Sequence, residues 1–135
     1  MVEFALVLPL FLVVMFIIAD FGVGFSRWLV ITNATREGAR EGTVGASALE
    51  VQQRTASTSN GLLDTADVVV SYQDFDNDGV GQGDAVAVNT DYEYNLITPL
   101  GKLLNLTFGS ITLSSCSDMR LELDAEGAVG GGSGC

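Results

Sequence analysis

Glu3 stands directly ahead of sixteen uncharged, almost wholly apolar residues, Phe4 to Ala19, and a second acid, Asp20, closes the run. A stretch of this kind is not stable exposed to water. At about 1.5 Å per residue, the segment from Phe4 to Phe25 makes a helix roughly long enough to cross a hydrocarbon core. The chain is thereby confined to a membrane, to a bundle of like helices, or to both in turn.

Three readings of the run compete: a secretory signal, a plain membrane anchor, and the assembly stem of a filament subunit. A signal peptide carries a basic leader and a shorter apolar core, whereas this chain has no Lys or Arg before Arg27. An ordinary anchor carries basic flanks and avoids acids, which are costly in hydrocarbon unless paired. Here both ends of the run are acidic. The missing basic leader suggests that an upstream segment is removed, which would make Met1 an internal residue exposed by processing.

A new amino terminus next to Glu3 has a direct physical use, because a buried charge needs a partner and a neighbouring subunit can supply one. The Glu3 carboxylate of one subunit meeting the Met1 amino group of another would select one axial stagger among many similar ones. The plainer alternative is an acid resting at headgroup level.

Val2-Glu3-Phe4-Ala5-Leu6-Val7-Leu8-Pro9-Leu10, then Ile18-Ala19-Asp20-Phe21-Gly22, then Ala34-Thr35-Arg36-Glu37-Gly38-Ala39-Arg40 resemble the TadE-like pseudopilins of tight-adherence (Tad) pili, within the type IV pilin superfamily. The resemblance is strongest over residues 2–42 and returns at 74–83 and 111–122. It implies a precursor cut by a prepilin peptidase, extraction from the inner membrane by assembly machinery, and packing with copies of itself into a helical filament or its tip, where adhesion to surfaces is the family role. Met1, Glu3, Phe4 and Pro9 are the residues on which assembly would turn. In the family the acid generally lies farther from the cleavage site than Glu3 lies from Met1. Either the cut differs here, or Met1 is not the mature end.

The remaining composition fits one modest exported domain. Of 135 residues, about 60 read as stem, leaving 61–135 for a head of single-domain size. Histidine is absent, which removes the commonest general base and transition-metal ligand. The chain has no nucleophile elbow, phosphate-binding glycine loop or catalytic carboxylate pair, so it reads as a non-enzyme. Residues 1–60 hold five acids and four bases, net −1; residues 61–135 hold twelve acids and two bases, net −10. Such an acidic head repels nucleic acid and offers oxygen ligands to hard cations.

Helical composition continues past the apolar run to about Ser59, and an unbroken helix from Val2 to Thr58 would be ~85 Å long. Pro9 should loosen it locally. Gly22, Gly24, Gly38, Gly42 and Gly45 weaken it while allowing close packing, and a break would fall at 42–45. After Gly61 the periodicity becomes alternating. Val68, Val70 and Tyr72 share one face; Val86, Val88, Tyr92, Tyr94 and Leu96 share another, with Asn89, Asp91, Glu93 and Asn95 opposite. Ile111 and Leu113 fall in phase with Met119, Leu121 and Leu123, as one long strand or two short ones. The stretch Thr98 to Leu104 reads as a short helix or turn after Pro99. The expected fold is α+β: a long hydrophobic helical stem, then a small antiparallel sheet packing its apolar face on the upper stem.

The loop Asp74-Phe75-Asp76-Asn77-Asp78-Gly79-Val80-Gly81-Gln82-Gly83-Asp84 has the alternating acids and glycine of the first half of a calcium loop. Position twelve is Ala85, where a bidentate Glu would stand, so Asp84 would have to close a shell of Asp74, Asp76, Asp78 and the Val80 carbonyl around a structural Ca²⁺. The alternative is a polar hairpin turn. Two cysteines in an exported chain suggest a Cys116–Cys135 disulfide tying down the glycine-rich tail, against two free or intermolecular thiols. Asn33-Ala34-Thr35 and Asn105-Leu106-Thr107 match the glycosylation triplet, a pattern frequent by chance. A single-pass anchored calcium-binding or adhesion domain is the reading from a different class.

Overall fold

A computed structural model describes residues 2–99, 101–102, 110–125, 128, 130–132 and 134–135. Helix α1 runs Val2–Thr43, α2 runs Ala48–Thr58, and a short 3-10 turn at Thr65–Asp67 leads into strands β1 (Val68–Gln73), β2 (Ala85–Tyr94) and β3 (Ile111–Arg120). The architecture is α+β, a long apolar helix followed by a small antiparallel sheet. Two compact units are formed by Met1–Arg27 with Glu93–Leu113, and by Trp28–Tyr92 with Ser114–Cys135.

At 42 residues, α1 is about 63 Å long. Pro9 lies inside it, and its missing N–H leaves the Ala5 carbonyl without the usual i+4 donor. The helix does not continue to Thr58. Gly45 adopts φ +84°, where a Cβ would also stand 2.8 Å from the Asp124 carbonyl, so an L side chain is disfavoured twice over. The Thr43 carbonyl accepts from the Glu122 and Leu123 N–H groups at 2.8 and 3.3 Å, which caps the helix end. Ser47 then opens α2 with a capping box: its hydroxyl accepts from the Glu50 N–H and the Glu50 carboxylate accepts from the Ser47 N–H. The second helix folds back, bringing Thr55 against Gly38 and Arg54 to 2.8 Å from Glu37.

In the second unit, Ile31, Ala34, Thr35, Gly38, Ala39 and Gly42 recur at helical spacing and are all buried. A Cβ on Gly42 would come within 3.0 Å of Val86, so the helix lies close to the sheet there. The core gathers Ala39, Val51, Val68, Tyr72, Val86, Val88, Leu121 and Ala125. One hydroxyl pair is embedded beside it: Thr35 and Thr90 lie 2.9 Å apart, and Thr35 also donates to the Ile31 carbonyl.

The sheet order is β1-β2-β3. Strands β1 and β2 pair antiparallel from Val68↔Thr90 to Gln73↔Ala85. Asp84 bonds Leu121 while Thr90 bonds Ser115, so β3 also runs antiparallel to β2. Val68 and Tyr72 are buried and Val70 partly so, as the alternation predicts. The phase of the third run holds only in part. Leu121 is buried and Leu113 and Met119 are half-buried, but Ile111, the first residue of β3, and Leu123, beyond the strand's end at Arg120, are exposed. After Pro99, the Lys102 N–H bonds the Thr98 carbonyl at 2.9 Å, closing one helical turn.

Ala85 and Ala87 are buried on the face expected to be wet. The glycine-rich tail lies across this side: Gly130 bridges Tyr72 in parallel, the Gly132 N–H bonds the Tyr72 carbonyl at 3.0 Å, and Gly132 and Gly134 pack on Ser71 and Gln73 with no room for side chains. Cys116 on β3 is bonded to Cys135, with Cα atoms 5.7 Å apart. The tail is thus a strap fastened at its end. Opening this loop of sequence separation 19 by Cys135→Ser is expected to cost up to about 3 kcal/mol. Urea unfolding of the detergent-solubilised chain measures it, and an unchanged midpoint would show the strap contributes nothing.

Candidate functional site

The stem presents its chemistry outward. Phe4 is 70 % exposed, and Leu6, Leu10, Phe11, Ile17, Ile18 and Phe21 are all exposed in the isolated chain. Glu3 is exposed in the first turn of α1, where an acid suits the helix dipole. Met1 lies outside the described residues. The helix is long and apolar enough to cross a membrane. Such a surface needs either lipid or other apolar helices around it.

Asp20 departs from this pattern. It is the one buried residue of α1 before Ile31 among the described residues. Its carboxylate accepts from the N–H groups of Ile97 and Thr98, each at 3.0 Å, and from the Thr98 hydroxyl. The Tyr94 hydroxyl donates to its carbonyl at 3.1 Å. The sequence marks Asp20 as the end of the apolar run and as part of the family resemblance, and gives no local signal of partners 77 and 78 residues away.

The acidic loop joins β1 to β2 and is organised by two of its own carboxylates. Asp74 accepts from the Asn77 N–H at 2.7 Å and the Gly79 N–H at 3.2 Å. Asp84 accepts from the Phe75 N–H at 3.0 Å and the Gly81 N–H at 2.8 Å. Asn77 and Gly79 have φ of 61° and 108°, the left-handed conformations that Asn and Gly tolerate best. Ligand oxygens of Asp74, Asp76, Asp78 and Asp84 all lie within 4.8 Å of one another. Val80 contributes a side chain packed against the core.

Electrostatics separate the four acids. The Phe75 and Gly81 N–H groups hold the Asp84 carboxyl below the usual carboxylate range. The hydrogen bond and charge of Asp76 push Asp78 above it, with burial and the charges of Asp74 and Asp84 adding to the effect. The cluster is therefore repelled within itself unless a proton or a cation enters. Divalent oxygen ligation is the chemistry it can offer.

Asn33 is exposed on α1, while Thr35 of its triplet is buried and doubly bonded. Asn105 lies outside the described residues.

Residues 1–40 match the family model of the TadE-like proteins. The stem is TadE-like. The match covers the membrane-length run, Asp20 and the Arg36-to-Arg40 stretch, and it ends before the sheet. No curated protein and no solved structure matches the chain.

Two acids of the loop should respond oppositely to change. Asp78→Asn removes repulsion and is expected to raise the thermal midpoint at neutral pH in chelator, with the gain fading as acid protonates Asp78 in the parent. Asp84→Asn should lower it. The Asp84 contribution is present above its unfolded pKa of about 3.9 and is lost as pH falls through the lower folded value. Thermal melts across acidic pH check both signs.

Proposed function

We propose that the chain is a structural subunit of an extracellular Tad-type pilus, polymerising through its N-terminal helix. The observation that carries the reading is the conjunction of a TadE-like stem with a membrane-length run of exposed apolar side chains on that same helix. Before assembly the stem spans the inner membrane. After cleavage by a prepilin peptidase and extraction by the assembly machinery, stems of other copies replace lipid around it. Glu3 sets the stagger by meeting the amino terminus of a neighbour, while Phe4 and Pro9 shape the packing beside it. The role is non-enzymatic, and with a net charge of −11 nucleic acid is no partner.

Two finer alternatives are kept because the same stem serves them. One is a minor pseudopilin that primes or tips the filament. The other is a single-pass anchored adhesion domain. Mass spectrometry of sheared, purified filaments separates them: the shaft reading expects this chain as a principal component, and its absence or scarcity there would contradict that reading. Glu3→Gln is expected to reduce filament yield severalfold while the disulfide-bonded head remains folded; undiminished assembly would remove the stagger role.

The acidic loop favours a second element of function. Four carboxylates within 4.8 Å, one of them pushed up by the others, support a structural Ca²⁺ held by Asp74, Asp76, Asp78 and Asp84, with the Val80 carbonyl completing the set. The ion would neutralise the repulsion and stiffen the β1–β2 connection. Millimolar Ca²⁺ should raise the melting temperature of the detergent-solubilised chain, and Asp78→Asn should abolish the rise. No shift in the parent would leave the loop as a polar turn.

A further inference from the structure

The first unit contains a device that the filament reading leaves unused. Tyr94, Ile97, Thr98 and Gly101 converge on Asp20: two N–H groups and a hydroxyl on its carboxylate, the Tyr94 hydroxyl on its carbonyl, and Gly101 packed so closely that a Cβ would stand 2.5 Å from Asp20 Oδ2. The turn is held rigid by its own bonds, Gly101 N–H to Thr98 Oγ1 at 3.1 Å and Lys102 N–H to the Thr98 carbonyl at 2.9 Å. The Arg27 guanidinium lies 5.3 Å from the centre of the Tyr94 ring.

The depth of this clasp follows from helix rise. If Glu3 marks one edge of a hydrocarbon core about 30 Å thick, Asp20 lies roughly 25 Å along the helix, just inside the opposite edge. Arg27 lies roughly 36 Å along, among the headgroups. A bare carboxylate at the depth of Asp20 would be expensive; one already holding three donors is tolerated. The clasp therefore brings the Ile97–Lys102 turn to the boundary itself. Ile97 is 50 % exposed beside Asp20, and the stacked pair Phe21 and Phe25 is exposed on the same stretch of helix. Lys102 is exposed at the far end of the turn, and a cation close to a membrane surface is drawn to lipid phosphate.

We propose that the Asp20 clasp makes the Ile97–Lys102 turn a second membrane contact, seated at the hydrocarbon–headgroup boundary and fixing how deep the stem sits before assembly. The inference rests on the stem spanning the membrane, and its test separates the two. Trp28 is the only tryptophan, so Trp28→Phe gives a background for single-tryptophan variants of the full chain in vesicles of phosphatidylcholine and phosphatidylglycerol with brominated acyl chains. Phe11→Trp reports the stem and should be quenched most by bromines near the chain ends. Ile97→Trp should be quenched roughly twofold more by bromines near the headgroup than by those near the chain ends, as expected for an interfacial aromatic.

Adding Asp20→Ala should abolish the Ile97→Trp quenching and leave that of Phe11→Trp unchanged. Quenched Phe11→Trp with unquenched Ile97→Trp overturns the turn's lipid contact while the spanning stem stands. Unquenched Phe11→Trp overturns both. Blue-shifted Ile97→Trp emission that depends on protein concentration and ignores bromine would assign the turn to a contact between copies, and would also overturn the proposal.

Discussion

Where α1 meets β2, Gly42 faces Val86 with no space for a Cβ, and Thr35 exchanges a hydrogen bond with Thr90 in a buried setting. Most of the second unit depends on that close approach. The stripe from Ile31 to Gly42 is made of small residues with one large one, so the helix backbone comes near enough to the sheet for the core around Val51, Val86 and Val88 to close. An unpaired hydroxyl there would carry a desolvation cost, and the Thr35–Thr90 pair removes it while fixing the register between helix and strand. The same helix has no such stripe from Phe4 to Ala19, where every side chain but the half-buried Phe16 is exposed. One element thus supplies both a folded anchor point and an unsatisfied surface.

Long-range ties compensate for a core of modest size. The tail fastened by Cys116 and Cys135 packs on Ser71 and Gln73, which stand opposite Ala87 and Ala85 in the sheet. Thr43, at the end of α1, receives the N–H groups of Glu122 and Leu123, tying the helix end to the chain leaving β3. In the first unit, Asp20 does comparable work on the segment after β2. Each tie replaces water around a backbone group with a defined partner, which is how a small domain with many glycines stays ordered.

The features legible in the sequence were those encoded by neighbours in the chain. The apolar run, the alternation at 68–72 and 86–94, the aspartate loop and the pairing of two cysteines all declare themselves over short windows or by elimination. The helix hairpin at 44–47 was visible only as a weak point at Gly42 to Gly45, because helical composition resumes at Ala48 and the cap Ser47–Glu50 acts only once Gly45 turns left-handed. The strap was legible in its fastening and hidden in its path. The two cysteines already predict a tail tied down at its end, but nothing in the sequence points to its seat on Ser71 and Gln73, where Gly132 and Gly134 leave no room for side chains. Asp20 was least legible, its partners lying 77 and 78 positions away.

The central claim is that the exposed face of the stem around Phe11 is covered by other copies of the chain once assembled. A photo-crosslinking amino acid placed at Phe11 tests this in intact filaments. The account predicts crosslinked dimers joined stem to stem in filaments and adducts to lipid in unassembled membranes. Lipid adducts alone in both preparations would contradict it.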